Sequence, residues 1–241
     1  MKSNRSSLSS RRAALLTLCL LPASTLLAQE LELPSQEVLA KPTIEDDGYQ
    51  AKRASTASKS SVALRDEAQS VQVVTPKTIE DFQVRSLDEA MKFVSGVSQS
   101  NTLGGTQDGF VKRGFGANAD GSILRDGIRS SLSRNFSATT ERVEVLKGPA
   151  SLLYGALEPG GLINVISKKP QYQWGTRLDA DSSSFGGGSL AVDVTGPIAD
   201  SGLAFRLIAE RQHKDYWRNF GEEEHSLIAP SLSWEGERLR D

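Results

Sequence analysis

The architecture follows from one stretch, Val143-Glu-Val-Leu-Lys-Gly-Pro-Ala-Ser-Leu-Leu-Tyr-Gly-Ala-Leu-Glu-Pro-Gly-Gly-Leu-Ile-Asn-Val-Ile-Ser167. It predicts a strand, a turn at Gly148-Pro149, one short helical turn, a second turn at Glu158 to Gly161 and a second strand. A glycine-rich loop between a strand and a helix can bind phosphate, but that loop needs Gly-Lys-Ser/Thr where the helix begins. Here Gly148 is followed by Pro-Ala-Ser, so we predict a structural role for the stretch.

The same stretch closely resembles the end of the plug domain of TonB-dependent outer-membrane receptors, specifically those for ferric siderophores. In that family it anchors the plug just before a transmembrane β-barrel begins. The resemblance implies four parts in this chain: a signal peptide at 1–28, a flexible periplasmic segment with a TonB box at 29–61, a plug domain at 62–168 and the start of a barrel at 169–241.

The first 28 residues have the features of a secretory signal. Arg11-Arg12 precede the apolar run Ala13 to Leu21, and a signal peptidase could cut near Ala28. The run is shorter than the roughly 20 residues that span a bilayer. Cys19, the single cysteine, lies inside it, so cleavage would leave a chain without disulfides or thiol chemistry.

Overall composition excludes several other classes. Among 241 residues, 38% are hydrophobic and 24% charged, which is typical of a globular chain. A net charge of -2 argues against a nucleic-acid partner. His213 and His225 stand alone among charges, so we expect solvated loop positions rather than a metal site.

The segment from Gln29 to about Ser61 is polar and contains Pro34 and Pro42, which predicts an extended, mobile chain. Ser35 to Ala40 sits where the resembled family carries its TonB box, which pairs with TonB by adding a strand. A plain linker is the alternative. The resemblance implies that TonB is contacted by Gln36, Glu37, Val38, Leu39 and Ala40.

Short helices mixed with short strands predict a small α+β domain from about Val62 to Lys168. Thr75 before Pro76 is a helix cap, and Ser86 with Glu89 is a capping box. The predicted sheet contains Phe110 to Arg113, the hairpin Ser122 to Arg129 with its Asp126-Gly127 turn, Val143 to Leu146, and Leu162 to Ser167. Gly114 to Ala119 matches a dinucleotide fingerprint in letters, but no helix can follow it, so a nucleotide-binding enzyme is disfavoured.

After Lys168-Lys169-Pro170 the sequence alternates with period two, as strands with one lipid face and one polar lumen face do. The alternative is the edge of a soluble β-sandwich. We predict strands over about 174–181, 189–195, 203–210 and 226–234, a tight turn at Gly196 to Gly202, and a long charged loop from Arg211 to Glu224. Plugged transporters close with about 22 strands, so the sequence predicts an α+β plug followed by the first four or so antiparallel strands of an incomplete transmembrane β-barrel, the N-terminal portion of a receptor.

The expected function is binding and import rather than catalysis. No Ser-His-acid set, metal-ligand cluster or paired carboxylates in an apolar setting are apparent, so neither an enzyme nor a cofactor is predicted. The resemblance implies that TonB, a ferric siderophore and outer-membrane lipid are partners, with phages or bacteriocins as opportunistic ligands. The alternatives are a receptor for another large nutrient, such as cobalamin or a glycan, and a plug fragment that does not transport.

By position in the family, three plug loops would face the ligand. They offer hydrogen bonds, charge and an aromatic surface, and the candidate ligand-binding residues are Asn101, Asn118, Asp120, Arg134 and Phe136. Four further charged residues are candidates to pair the plug with the barrel wall rather than to contact the ligand, namely Arg113, Glu141, Arg142 and Lys147. For Arg113 the two roles are equally expected.

Overall fold

Two strands from the stretch 143–167 lie at the centre of a five-stranded mixed sheet. A computed structural model describes residues 48–116, 121–182, 186–199, 201–215 and 221–235, all of them within one compact unit. The strands are β1 Arg53–Ala54, β2 Val62–Ala63, β3 Ser70–Val74, β4 Val97–Gln99, β5 Phe110–Lys112, β6 Ile123–Arg125, β7 Ile128–Arg129, β8 Thr140–Lys147, β9 Gly161–Ser167, β10 Gly175–Ser182, β11 Gly187–Ile198, β12 Leu203–Asp215 and β13 Glu222–Trp234. The α-helices are α1 Pro76–Asp81, α2 Leu87–Met91 and α3 Ser151–Tyr154.

The five-stranded sheet has the order β3-β8-β9-β6-β7. β8 is antiparallel to both of its neighbours, whereas β6 runs parallel to β9. Residues 51–61, which the sequence predicts as part of the mobile segment, form β1 and bury Ala54, Thr56 and Ala57. We therefore call the globular part around this sheet, residues 51–168, the plug. The sheet β10-β11-β12-β13, which is antiparallel throughout, is called the wall.

The predicted strand, helical turn and strand are confirmed as β8, α3 and β9. Both turns place a glycine at a positive φ, and at Gly161 the neighbouring backbone also leaves no room for a side chain. Gly148 and Gly161 both have φ 125°, and a Cβ on Gly161 would overlap the backbone oxygen of Leu146. The turns therefore bring β8 and β9 side by side in register.

Both predicted helix caps are confirmed. The Thr75 hydroxyl accepts the Thr78 N–H at 3.2 Å at the start of α1, and the Ser86 hydroxyl accepts the Glu89 N–H at 3.2 Å at the start of α2. The Glu89 carboxylate accepts the N–H of Arg85 at 2.7 Å, one residue before the cap. These bonds satisfy donors that have no partner inside a helix.

The main core lies between α2 and one face of the plug sheet. α2 and the residues after it contribute Leu87, Ala90, Met91 and Val94, and the sheet contributes Val143, Val145, Ile163 and Val165. Burial of these aliphatic side chains supplies the largest favourable contribution to plug stability.

One strand predicted in the main sheet lies in a different sheet. Phe110 to Arg113 was expected in the main sheet, but β5 pairs with β4 in a separate two-stranded ribbon. Arg113 and Gly114 have positive φ angles of 52° and 85°, so the chain turns sharply where β5 ends. Phe110, only 2% exposed, still packs into the main core. The predicted Asp126-Gly127 turn between β6 and β7 is confirmed, with φ 50° and 81°.

The wall shows the predicted alternation of its two faces. Its outer face exposes large apolar side chains, including Leu178, Leu190, Leu207, Ile228 and Leu232. Its inner face buries Asp193, Thr195, Ala204 and Ile208. Ile208, which departs from the apolar alternation in the sequence, thus faces inward. None of the helices in the described part of the chain could span a membrane.

The predicted loop from Arg211 to Glu224 is wrong over most of its length. β12 continues to Asp215 and β13 begins at Glu222, so His213 and His225 lie in strands rather than in loops. Side chains pair across these strand ends: Arg211 forms an ion pair with Glu224, and His213 Nδ1 lies 3.3 Å from Glu222 Oε1. Cross-strand pairing therefore explains charges that a sequence pattern assigns to a loop.

Pro230 does not interrupt the wall. It lies opposite Leu207 in an unbroken register, without a bulge. β13 is the edge strand of the wall in this structure, and edge strands tolerate a residue that lacks an N–H.

Candidate functional site

A cavity of about 770 Å³ lies between the plug and the wall. The plug contributes two loops, around residues 104–108 and 132–137, and the wall contributes β12 and β13. Two of the predicted ligand residues, Arg134 and Phe136, line it. The volume is in the range of pockets that bind small molecules.

Arg134 is held in place by two carboxylates. Its Nη1 lies 3.2 Å from Asp88 Oδ2 and 3.0 Å from Asp108 Oδ1. The Arg134 side chain is nevertheless 31% exposed at the cavity edge. The cavity therefore presents a guanidinium whose orientation is fixed and whose charge is largely balanced by its neighbours.

Asp108 is the buried partner in this group. Its Oδ2 accepts the Asn135 N–H at 2.7 Å and the Asn135 side-chain amide at 3.0 Å. Burial raises the pKa of the Asp108 carboxyl, and the nearby Asp88 charge acts in the same direction. The hydrogen bonds from Asn135 and the charge of Arg134 oppose this rise without cancelling it. Arg134 thus stabilises a carboxylate that burial disfavours.

Phe136 gives the cavity an apolar surface. Its ring is half-buried and packs against the main core, which fixes its position. Leu132 also lines the cavity and is 56% exposed. The floor of the cavity therefore combines an aromatic face with a fixed cation, as ligand pockets commonly do.

Asn101 does not line this cavity. Its Oδ1 accepts the N–H of Leu103 at 2.9 Å, which shapes the turn at the start of Leu103–Gly105. The observed contact is a structural one. Asn118 and Asp120 lie outside the described residues, as do the predicted TonB contacts Gln36 to Ala40.

Sequence reasoning missed the side of the cavity that the wall forms. Glu222, Glu223 and Glu224 line it from the start of β13, opposite the plug loops. Arg85 and Arg125 line it from the plug. The run of three glutamates is visible in the sequence, but its charge predicts a loop, whereas it forms the start of β13.

Arg125 is a half-buried cation whose hydrogen-bond acceptors are neutral groups. Its guanidinium donates to Thr139 Oγ1 at 3.1 Å, to Ser167 Oγ at 3.2 Å and to the Asn135 carbonyl at 2.5 Å. Burial lowers the pKa of Arg125, and the charge of Asp126 opposes the change. The side chain joins β6 to the loop before β8 and to the end of β9. These bonds hold the plug residues that line the cavity in place.

The plug is joined to the wall by ion pairs that differ from the predicted ones. Asp193 on β11 binds Lys168 at 3.0 Å and Arg206 at 2.7 Å. Two further pairs cross the same boundary, Arg85–Asp181 at 3.2 Å and Arg177–Glu80 at 3.1 Å. These contacts fix the wall against the last plug strand and against α1.

Two of the four residues expected to pair with the wall bind inside the plug instead. Arg142 binds Glu144 at 2.8 Å, and Lys147 donates to Gln72 and Ser95, both at 2.7 Å. Both lie on β8, which is a central strand of the plug sheet. The polar groups of both side chains are therefore bonded to partners within the plug.

The arrangement is suited to noncovalent binding. Within the ranges that the structure describes, no cluster of three or more His, Cys, Asp or Glu side chains could hold a metal ion. The cavity offers a fixed guanidinium, carboxylates and aromatic surface. Groups of these kinds are the ones through which pockets recognise polar ligands, by charge, hydrogen bonds and apolar contact.

Comparisons with known proteins agree with this architecture. Residues 63–162 match the TonB-dependent Receptor Plug Domain. The chain is 32% identical over 190 residues to the metal-pseudopaline receptor CntO of Pseudomonas aeruginosa, covering 78% of this chain and 27% of that protein. It is 33% identical over 212 residues to the ferrioxamine receptor of Yersinia enterocolitica, covering 83% of this chain and 30% of that one.

A solved structure shows the same likeness in three dimensions. The ferripyoverdine receptor of the outer membrane of Pseudomonas aeruginosa, bound to ferripyoverdine, superposes with a TM-score of 0.71 at 28% identity. The match covers 80% of this chain and 26% of that chain. The chain thus spans roughly a quarter to a third of the length of the relatives it matches.

Proposed function

Since the chain belongs to the TonB-dependent receptor family, with a plug domain followed by antiparallel strands, we propose that it forms the N-terminal portion of an outer-membrane receptor that imports ferric siderophores. The observation that carries the proposal is the joint match of plug and wall to a receptor bound to ferripyoverdine. The ferrioxamine receptor supports the same ligand class.

The ligand would enter the cavity between the plug loops and the wall. Phe136 would contact the apolar part of a siderophore, and Arg134 would donate hydrogen bonds to its oxygen atoms. Asn118 and Asp120, which lie outside the described residues, are retained as proposed ligand contacts on the sequence alone. This assignment rests on the cavity lining and on the expected position of the three plug loops.

The outer membrane is the proposed location. The exposed apolar face of the wall, with Leu178, Leu190 and Ile228, would contact lipid, while Asp193 and Thr195 face the plug. Export would depend on a cleaved signal peptide ending near Ala28. Ser35 to Ala40 would pair with TonB as an added strand and so receive the energy for import.

A second candidate function is import of the same kind, with a metal other than iron in the cargo. The relative CntO is a metal-pseudopaline receptor, so a metallophore carrying another metal is also a candidate cargo. No catalytic step or resident cofactor is part of either proposal.

Growth on defined metal sources tests the proposal. A strain deleted for the gene, with other siderophore receptors removed, would be supplied with ferric hydroxamates, ferric pyoverdines or ferric catecholates as the only iron. We expect at least one class to support growth only when the gene is restored. Gene-dependent accumulation of another metal would favour the second candidate, and no gene-dependent growth or accumulation would contradict both.

A further inference from the structure

Three arginines line the cavity between the plug and the wall, and their charges are balanced differently. Arg134 contacts two carboxylates, and Arg85 lies 3.2 Å from Asp181. Among the residues that the structure describes, no carboxylate lies within ion-pair distance of Arg125, and its hydrogen-bond acceptors are all neutral. Arg125 is therefore the arginine of this cavity whose charge is open to a ligand.

The Arg125 guanidinium also has hydrogen-bond donors in reserve. Nη1 donates to Thr139 Oγ1 at 3.1 Å and to Ser167 Oγ at 3.2 Å, and Nη2 donates to the Asn135 carbonyl at 2.5 Å. These bonds use three of the five N–H groups that a guanidinium carries. Nε is buried and has no hydrogen-bond partner within the described ranges. Burying such donors unpaired costs free energy, which a bound acceptor would recover.

The hydroxyls beside Arg125 add further donors. The Ser167 hydroxyl accepts a bond from the guanidinium, which leaves its own O–H free to donate. The Ser137 and Thr139 hydroxyls lie 2.8 Å apart, so one donates to the other and one proton is left over. The surroundings of Arg125 thus hold more donors than acceptors, as an anion site requires.

A second cation borders this group. The backbone N–H of Lys168 donates to the Thr139 carbonyl at 2.9 Å. The Lys168 ammonium shares the single carboxylate of Asp193 with Arg206, so two cations meet one anion there. Five residues that line the cavity form what we call the anion subsite: Arg125, Ser137, Thr139, Ser167 and Lys168.

Two carboxylates lie near the anion subsite, and both are engaged. Glu210 lines the same cavity, but its carboxylate accepts the N–H of Ala138 at 2.8 Å. Asp126 accepts the N–H of Ser167 at 2.8 Å and lines a separate cavity. Burial lowers the pKa of Arg125 although the charge of Asp126 opposes the change. The guanidinium has therefore lost water without gaining a full counter-ion.

The glutamates of the cavity lie at a different level of the wall. The bond from Ala138 to Glu210 places the plug loop that carries the anion subsite at the level of Glu210 on β12. Glu223 lies opposite Lys214, four residues further along β12, which is about 13 Å at the rise of a β-strand. The cavity is therefore polarised, with a cationic end at Arg125 and an acidic end at the start of β13.

We propose that the anion subsite binds an oxyanion. The anion accepts hydrogen bonds from the Arg125 guanidinium and from the hydroxyls of Ser167 and of Ser137 or Thr139, and charge-assisted bonds of this kind are the strong ones. An anionic oxygen group carried by the cargo and a free inorganic anion have the same chemistry. Use of the anion subsite by a cargo rests on the proposed function, whereas anion binding is a property of this chain alone.

Thermal unfolding of the full chain in detergent micelles tests the proposal with inorganic sulfate as the probe, without siderophore or TonB. Sulfate that replaces chloride at constant ionic strength should raise the unfolding temperature of the wild type along a saturating curve, by about 3 °C or more. In Arg125→Gln the saturating part should disappear. Only the gradual rise that sulfate causes by strengthening burial in any protein should remain.

Arg65→Gln is the matched control. The Arg65 side chain is 87% exposed, pairs with its neighbour Asp66 and does not line the cavity, so this variant should respond to sulfate like the wild type. If Arg125→Gln fails to fold, Ser167→Ala replaces it. This variant keeps the guanidinium but loses one hydroxyl donor, so half-saturation should need about fivefold more sulfate or higher.

Three chelates with one scaffold distinguish the two sources of the anion. Ferrioxamine B ends in an ammonium group, its acetylated form is neutral there, and its succinylated form carries a carboxylate. If the cargo supplies the anion, the wild type should bind the succinylated chelate about tenfold more tightly than the acetylated one, and Arg125→Gln should lose the preference. If a free anion occupies the anion subsite, sulfate alone should show the dependence on Arg125.

The proposal is overturned if neither probe depends on Arg125, that is, if sulfate gives no saturating effect specific to the wild type and the chelates show no preference that Arg125→Gln removes. Chelates that bind equally well whatever their end group would leave the import proposal standing. If none of the chelates binds, the sulfate measurement alone decides. The two proposals therefore fail on different observations.

Discussion

Arg206 on β12 donates to both carboxylate oxygens of Asp193 on β11, with Nε 2.7 Å from Oδ1 and Nη2 2.7 Å from Oδ2. Lys168, at the end of the plug, adds a third contact to the same carboxylate at 3.0 Å. Arg206 also donates to the carbonyl of Lys169 at 2.8 Å. One inward-facing carboxylate therefore joins the last plug strand to two strands of the wall.

Asp193→Asn should destabilise the junction between plug and wall. The carboxylate is nearly buried, and its removal leaves Arg206 and Lys168 without their counter-ion. We expect a loss of about 3 kcal/mol of unfolding free energy, measured by urea denaturation in detergent. The matched control is Arg177→Ala, which breaks exposed pairs with Glu80 and Asp179 and should cost less than about 1 kcal/mol. Equal losses in the two variants would contradict the assigned role of Asp193.

Gly161→Ala should prevent the plug from folding. Position 161 has φ 125°, and a Cβ there would overlap the Leu146 carbonyl oxygen on the neighbouring strand. Gly127→Ala is the control, since φ is 81° but no atom lies within 4 Å of the added Cβ. The control should cost about 1 to 2 kcal/mol for the backbone conformation alone. Limited proteolysis distinguishes the two, and a protease-resistant Gly161→Ala variant would refute the close approach of β8 and the turn.

The pH dependence of stability should reveal Asp108. Because the folded-state pKa of Asp108 is raised, its contribution is fully present below the unfolded value of about 3.9 and is lost as pH rises through the folded value. The stability of the wild type minus that of Asp108→Asn should therefore fall as pH rises from about 4. Urea denaturation of both proteins across that range measures it, and a difference that rises with pH would reverse the sign we assign.

Arg134 and Phe136 should contribute to ligand binding in different ways. Phe136→Ala removes apolar surface from the cavity and should weaken binding of a cognate ferric siderophore by about tenfold or more. Arg134→Gln leaves Asp88 and Asp108 without their cation, so it should weaken binding and also lower plug stability. Leu152→Ala, at an exposed position that does not line the cavity, is the control for both. Quenching of intrinsic tryptophan fluorescence by the ferric ligand gives the affinities, and unchanged affinity in Phe136→Ala would remove that residue from the site.

Features encoded by neighbouring residues were predictable from the sequence. The turn glycines around β8 and β9, the caps at Thr75 and Ser86, and the period-two strands of the wall each depend on local geometry. These signals fixed the fold class and most strand positions.

Features that depend on distant contacts were not predictable in this way. The Thr56 amide binds Glu144 across 88 positions of sequence, and Arg134 binds Asp88 across 46. No local pattern marks such pairs. The charged residues near Glu222 predict a loop for a related reason. Their partners lie on the opposite strand, which the local sequence does not show.

The measurement that tests the central claim most directly is uptake of radiolabelled iron from a cognate ferric siderophore by cells whose chain lacks residues 35–40. The account predicts that these cells bind the ferric siderophore at the surface as the wild type does, but accumulate no more iron than cells lacking TonB. Wild-type uptake by the deletion strain would contradict the assigned route of energy, and absence of any gene-dependent binding or uptake in the wild type would contradict the receptor function itself.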